Sequence, residues 1–240
     1  MEFNVFTDKS KFRQVNEDSF IVEERKDYVL AAVADGLGGH KAGNIASSIA
    51  VDFFEDYNFK IQEATENIFT EIVNVINRIN KKIIKMSHDN PDYKGMGTTL
   101  SLVLIVDYKL YLGHVGDSRI YLLRNGSLRQ LTIDDTLVQN MVDHERIKPE
   151  EVFGHPRGHI LTQGLGVDES PEIETNEFSL KQGDCLLLCT DGLSDTLPAE
   201  KVEDILKKNL QKENPAQILG RKAIENEAQD NVTVLTGIIK

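Results

Sequence analysis

The chain has 240 residues, and its 27 lysines and arginines face 39 aspartates and glutamates, for a formal net charge of −12. Such an acidic balance argues against a protein built to cover nucleic-acid phosphates or to lie on an anionic membrane, while the ordinary hydrophobic content is enough for a real core. No apolar run approaches the ~20 residues of a membrane helix, and the opening Met1-Glu2-Phe3-Asn4 lacks the basic and apolar regions of a secretory signal, so a reducing cytoplasmic setting is expected.

Residues 2–7 and 19–24 alternate as strands, with Phe3, Val5 and Ile21 as core candidates. The polar stretch Arg13-Gln14-Val15-Asn16-Glu17-Asp18 separates them. Residues 28–34 are apolar at successive positions, as in a strand covered on both faces. That run stops at Asp35-Gly36, with Gly38, Gly39 and Gly43 close behind. A carboxylate amid so much bare backbone suits a hard divalent ion with Asp35 and the Gly36 carbonyl as oxygen ligands, although a plain Asp-Gly turn reads the same way in isolation.

The spacing of Ile45, Ile49, Phe53 and Phe54 predicts a helix from Ala42 to about Tyr57. Ile68, Ile72, Val75, Ile76, Ile79 and Ile83 predict a second, half-exposed helix over about 62–87. The two read as an antiparallel pair lying on a sheet. Residues 97–131 read as a β meander, with strands at 98–106, 110–115, 119–123 and 128–131, the last two joined by an Asn125-Gly126 hairpin turn. The charged stretch 134–158, with Pro149 and Pro156, reads as a short helix begun by Asp134 and Asp135 plus an exposed flap, and Pro171 interrupts the next segment.

Residues 185–190 form a buried strand that ends at Asp191-Gly192. Its Cys185 and Cys189 are too far apart along one strand to bridge, about 13 Å by the strand rise, and read as buried free thiols. Val202, Ile205, Leu206 and Leu210 fit a helix; Pro215 opens another running to about Ala228. Asp230-Asn231 then leads into a last strand, 232–239. With no repeat and no linker, one domain spanning 1–240 is expected, with a flap at about 134–160.

Four aspartates, Asp35, Asp117, Asp191 and Asp230, each sit where an interior strand meets a turn. Each alone is an ordinary turn or cap residue. Gathered at one end of a sheet, they would repel each other unless a cation neutralised them. The donors are oxygens, and no His or Cys cluster has zinc spacing, so Mn²⁺ or Mg²⁺ fits better than zinc.

In order along the chain stand Arg13-x-x-Asn16-Glu17-Asp18, Asp35-Gly36-x-Gly38-Gly39, Gly97-Thr98-Thr99, Gly116-Asp117-Ser118-Arg119, Leu131-Thr132-x-Asp134, His155-Pro156-Arg157, Leu161-Thr162-Gln163-x-Leu165-Gly166, Asp191-Gly192-Leu193 and Asp230-Asn231-Val232-Thr233. With these motifs the chain resembles the PPM (type 2C) family of metal-dependent serine/threonine protein phosphatases, and in particular its compact stand-alone bacterial members. The resemblance implies an α+β fold: a central antiparallel β-sandwich flanked on both sides by antiparallel α-helices, in four αββα layers. It implies that Asp35 bridges two Mn²⁺ or Mg²⁺ ions, with the Gly36 carbonyl on one and Asp191 and Asp230 on the other. Asp117, with Asp191, matches the acids of a third, weaker ion. Glu17 and Asp18 match residues that hydrogen-bond metal-bound waters, and Arg13 matches the arginine that grips the substrate phosphate, a role suited to its guanidinium fork.

The implied reaction is attack by a metal-bridging hydroxide on phosphorus, in line with the departing serine or threonine oxygen and without a covalent intermediate. Implied partners are phosphorylated proteins and a serine/threonine kinase that the enzyme opposes. No nucleic-acid or membrane partner is implied, and a monomer is expected. The general acid is open: Leu37 occupies the position where many eukaryotic members have histidine, which leaves His40, His155, His159 or a metal-bound water. Two competing readings are a catalytically silent phosphoprotein-binding relative and a hydrolase of small phosphoesters. The full aspartate set weighs against the first, and an open, flap-bordered site suits a protein loop better than the second.

Overall fold

The computed structural model describes residues 1–37, 42–61, 65–210 and 214–240. In chain order the elements are β1 (Glu2–Asp8), β2 (Asp18–Glu24), β3 (Val29–Leu37), α1 (Gly43–Asp52), α2 (Thr65–Asp89), β4 (Gly97–Thr98), β5 (Leu100–Val106), β6 (Lys109–Val115), β7 (Arg119–Arg124), β8 (Ser127–Gln130), α3 (Leu137–Asp143), β9 (Glu174–Ser179), β10 (Cys185–Cys189), α4 (Asp191–Ser194), α5 (Ala199–Asn209), α6 (Pro215–Glu225) and β11 (Val232–Ile238). One sheet has the order β1-β11-β10-β7-β8; the other has β2-β3-β5-β6-β9, with β4 paired to β3. Every pairing is antiparallel.

Side-chain alternation decides the layering. Ala31, Val33, Val103, Leu112, Leu186, Leu188 and Leu235 point inward and meet between the two sheets. Their neighbours Leu30, Ala32, Leu102 and Leu104 point outward, beneath Ile72, Val75, Ile76 and Ile79 of α2. On the opposite side, Cys185, Leu187, Cys189 and Val234 pack under Leu193, Leu206 and Leu219 of α4, α5 and α6. Inner strands with two covered faces need apolar residues at every position. That is why residues 28–34 and 185–189 carry no polar alternation, and each large buried side chain contributes roughly 1.5–3 kcal/mol. The result is the expected αββα arrangement. Both cysteines are free and buried. Among the described residues, no helix is long and apolar enough to cross a membrane.

Several local expectations are corrected. The first helix ends at Asp52, not near Tyr57. There the chain tightens into turns, with Phe54 N–H on Val51 O and Glu55 N–H on Asp52 O, and this lets Phe54, Tyr57 and Phe59 cluster with Tyr28. β3 continues past Asp35 to Leu37, because Gly36 and Leu37 pair with Thr98 and Gly97. The stretch 97–131 is not a meander in one sheet. β5 and β6 belong to one sheet and β7 and β8 to the other, so the chain changes sheets at Gly116-Asp117-Ser118. β9 was not predicted: Glu174-Thr175-Asn176-Glu177-Phe178-Ser179 is polar because it forms the outer edge, paired only to β6. Finally, α3 is capped by Thr136, whose hydroxyl accepts the Gln139 N–H at 3.1 Å, and not by Asp134 or Asp135.

Candidate active site

The two sheets bring the strand-end acids to one end of the sandwich. Asp18 and Asp35 are register partners on β2 and β3. The Asp35 N–H donates to Thr99 Oγ1 at 2.9 Å, and the Asp35 carbonyl accepts from Thr98 Oγ1 and from the Thr99 N–H, each at 2.9 Å. The Thr99 hydroxyl meets that of Ser118 at 2.7 Å, tying the sheet-crossing segment that carries Asp117 to the segment that carries Asp35. Asp191 opens α4 one residue after β10, and Asp230 stands one residue short of β11, the neighbour of β10.

Burial, then repulsion from Asp191, Asp18, Asp117 and Asp230, pushes the Asp35 carboxyl well above its ordinary pKa. Burial and repulsion, chiefly from Asp117 and Asp195, do the same to Asp191. Burial raises Asp18 to about 7, against hydrogen bonds from Thr233 and Thr190. Burial, with Asp134 and Asp195 nearby, raises Asp117 to about 7. These acids therefore lie within electrostatic reach of one another. The Oδ1 atoms of Asp18 and Asp191 are buried without a hydrogen-bond partner. A buried, unpaired carboxylate oxygen is costly, and a hard divalent cation is the group whose chemistry compensates it. The residues therefore fit Mn²⁺ or Mg²⁺. The fit is not a closed cage: among the described residues, no three His, Cys, Asp or Glu side chains are gathered closely enough to enclose an ion.

Three predicted residues have partners that the sequence did not foretell. Arg13 donates to Asp230 Oδ2, and both side chains lie at the rim, 47 % and 32 % exposed. The Glu17 carboxylate reaches from a distant segment to Gly43 at the start of α1, where the backbone N–H groups of Gly43 and Asn44 favour its charged form and Ala42 offers no side-chain cap. Burial raises its pKa, with Arg13 opposing. At Gly36 the backbone passes so near Gly43 that an added Cβ would lie 2.3 Å from the Gly43 carbonyl carbon. Only glycine permits that crossing.

Sequence reasoning missed Asp195. It lies one turn beyond Asp191, donating its N–H to the Asp191 carbonyl at 2.7 Å, and burial raises its carboxyl despite Arg119. Its only signal was the four-residue spacing from Asp191. Asp134 is paired with Arg119 at 2.6 Å and also accepts from Gln130 Nε2 at 2.8 Å, while Asp135 accepts the Gly116 N–H at 2.7 Å. A cleft of about 580 Å³ runs from Asp117, Asp191 and Asp195 to Val152, Phe153 and Gly158 of the flap. Of the histidines considered as general acid, His159 is close enough to oppose the rise at Asp195. The ring of His155 accepts the Arg157 N–H at 3.1 Å. His40 lies outside the described residues, as do Gly38 and Gly39.

The profile of the protein phosphatase 2C family matches residues 9–227. The serine/threonine phosphatase stp of Listeria welshimeri is 39 % identical over 235 residues, covering 95 % of this chain and 92 % of that protein. Among solved structures, the serine/threonine phosphatase of S. agalactiae superposes with a TM-score of 0.91 at 33 % identity, covering 100 % of this chain and 99 % of the other. The catalytic domain of the phosphatase PstP, in complex with two manganese ions, superposes with a TM-score of 0.81 at 34 % identity, covering 100 % and 98 %.

Proposed function

Because the chain belongs to the protein phosphatase 2C family of serine/threonine phosphatases, we propose that it removes phosphate from phosphoserine and phosphothreonine in proteins by direct displacement with water, using Mn²⁺ or Mg²⁺. Asp35 and the Gly36 carbonyl, with Asp191 and Asp230, would hold two ions; Asp117, with Asp191, would hold a third. When bound, such ions lower the pKa of water toward neutrality and stabilise charge on the phosphoryl oxygens. The observation that carries this reading is the pair of buried, unpartnered oxygens on Asp18 and Asp191 within a ring of raised carboxyls.

The remaining work falls to the chain itself. Arg13, half exposed at the rim, offers its guanidinium fork to the substrate phosphate, whose dianion competes with Asp230 for it. Asp18, held through Oδ2 by the Thr190 hydroxyl at 2.8 Å, keeps its other, unpartnered oxygen as an acceptor for ordered water. The Glu17 carbonyl accepts the Gly36 N–H at 3.1 Å and the Ser47 hydroxyl at 2.5 Å, and so ties α1 to β3. Neither cysteine serves as nucleophile: burial pushes both thiols to about 12. Residues 1–240 act as one catalytic domain, whose flap at about 134–160 borders the cleft that receives the protein substrate. The partners are phosphoproteins and the kinase that modifies them; the enzyme works as a monomer. Its setting is the cytoplasm, where two free buried cysteines stay reduced.

The test is Mn²⁺-dependent hydrolysis of p-nitrophenyl phosphate and of a phosphothreonine peptide. Asp191→Ala is expected to lower kcat at least ~100-fold with the fold intact. Arg13→Ala is expected to raise KM about tenfold with a smaller effect on kcat. Full activity in EDTA would overturn the proposal, as would no activity with Mn²⁺.

A further inference from the structure

The loop of residues 9–17 carries Arg13 and Glu17 but has no apolar anchor. Its large apolar side chains, Phe12 and Val15, are 52 % and 42 % exposed. Packing therefore does not fix where Arg13 stands, and polar contacts must. Within the loop, the Asp8 carboxylate accepts the Ser10 N–H at 2.7 Å and the Ser10 hydroxyl accepts the Phe12 N–H at 3.3 Å. From outside, Thr7 holds Asn16 and the Gly36 N–H and Ser47 hydroxyl hold the Glu17 carbonyl, but the hold that reaches both ends comes from Asn231, which is 3 % exposed. Its Oδ1 accepts the Glu17 N–H at 2.8 Å, and its Nδ2 donates to the carbonyls of Lys9 and Val15, each at 3.0 Å. One side chain thus grips both ends of the loop. A planar amide is the side chain that offers an acceptor and two donors in this arrangement.

The adjacent Asp230 accepts the Asn231 N–H through Oδ1 at 2.8 Å and holds the Arg13 guanidinium through Oδ2. Asp230-Asn231 therefore fixes the loop twice, once by its backbone and once by its arginine. We infer that Asn231 is a positioning residue for phosphate binding: it holds the 9–17 loop so that Arg13 meets the substrate phosphate without a search. This rests on the reading of Arg13 given above.

The test uses the full chain with Mn²⁺, p-nitrophenyl phosphate as substrate and inorganic phosphate as competitor. Asn231→Ala is expected to raise KM and the phosphate inhibition constant together, about tenfold, with kcat within about threefold. Asn231→Asp retains the acceptor for Glu17 but sets a carboxylate against two carbonyls, so it raises both constants similarly. The Arg13→Ala/Asn231→Ala double variant is expected to be within about twofold of Arg13→Ala alone, because both changes act through one guanidinium. A merely structural asparagine would lower stability without this KM-selective, non-additive pattern. Unchanged KM in Asn231→Ala overturns the inference. So does full additivity with Arg13→Ala, or a shift confined to the Mn²⁺ requirement. If Arg13→Ala itself leaves KM unchanged, the phosphate role of Arg13 falls and takes this inference with it. Should both Asn231 variants lose their melting transition, amide exchange in the unaltered protein decides: protection of the Glu17 N–H supports the clamp, and exchange at the unstructured rate overturns it.

Discussion

At the scale of single residues, the site depends on close approach and on buried charge. Gly36→Ala would drive a methyl group into the Gly43 backbone, and the expected outcome is loss of at least ~100-fold in kcat, measured alongside a Mn²⁺ titration. Arg119, with a side chain 18 % exposed, is the ion-pair partner of the buried Asp134. Arg119→Met takes the cation from that carboxylate, leaving it the Gln130 amide, and should cost about 3–5 kcal/mol. A thermal melt should register this as a fall of roughly 10 °C, with partial recovery when Asp134→Leu is added. Asp35, Asp117, Asp191 and Asp230 were legible in the sequence because each stands where an apolar run meets a turn. Asp195 was not, since a four-residue helix such as α4 has too little periodicity to mark a face. Nor was the grip of Asn231, whose partners lie more than two hundred residues away and leave no local pattern.

Elements were legible in proportion to how completely they are buried. β3, β5, β6, β10 and α2 announced themselves through continuous apolar runs or a clean helical stripe. β9 did not, because an edge strand facing water needs no apolar alternation. The change of sheet at Gly116 is likewise invisible to local patterning: it depends on which strand each hairpin finds as a neighbour. In the flap, the Thr136 cap predicts that Thr136→Ala costs about 1 kcal/mol, a fall in Tm of about 2–4 °C by calorimetry. Phe153, at 51 % exposure, lines the cleft from the flap side. Phe153→Ala is expected to raise KM for a phosphothreonine peptide about fivefold while leaving KM for p-nitrophenyl phosphate unchanged. Equal effects on both substrates would remove the flap from protein recognition.

At the scale of the whole molecule, the acid ring links stability to pH. Folding raises Asp18 and Asp117 from 3.8 to about 7, and Asp35 and Asp191 rise too. Between those values the folded chain keeps protons that the unfolded chain has released, so metal-free stability falls as pH climbs from about 4 to about 7. Melts in EDTA should give a lower Tm at about pH 7.5 than at about pH 5.5. Added Mn²⁺ should raise Tm more at the higher pH, where its ligands are deprotonated. A metal-free Tm that rises over this interval would contradict the assignment.

β11 also sets the order in which the protein can come into being. It is an inner strand between β1 and β10, it is β1's one partner in the sheet, and the residues leading into it are Asp230 and Asn231. Among the described strands β1 and β11 stand farthest apart in the chain, so β1 cannot pair with β11 until the strands between them have been made. A product interrupted before Asp230 would contain Arg13, Asp35, Asp117 and Asp191, yet its first sheet would lack an inner strand and its 9–17 loop would lack the contacts of Asp230 and Asn231. Long-range closure of this kind is slow. It also sets when the contacts of Asp230 and Asn231 with the 9–17 loop can form: not before the segment leading into β11 has been made.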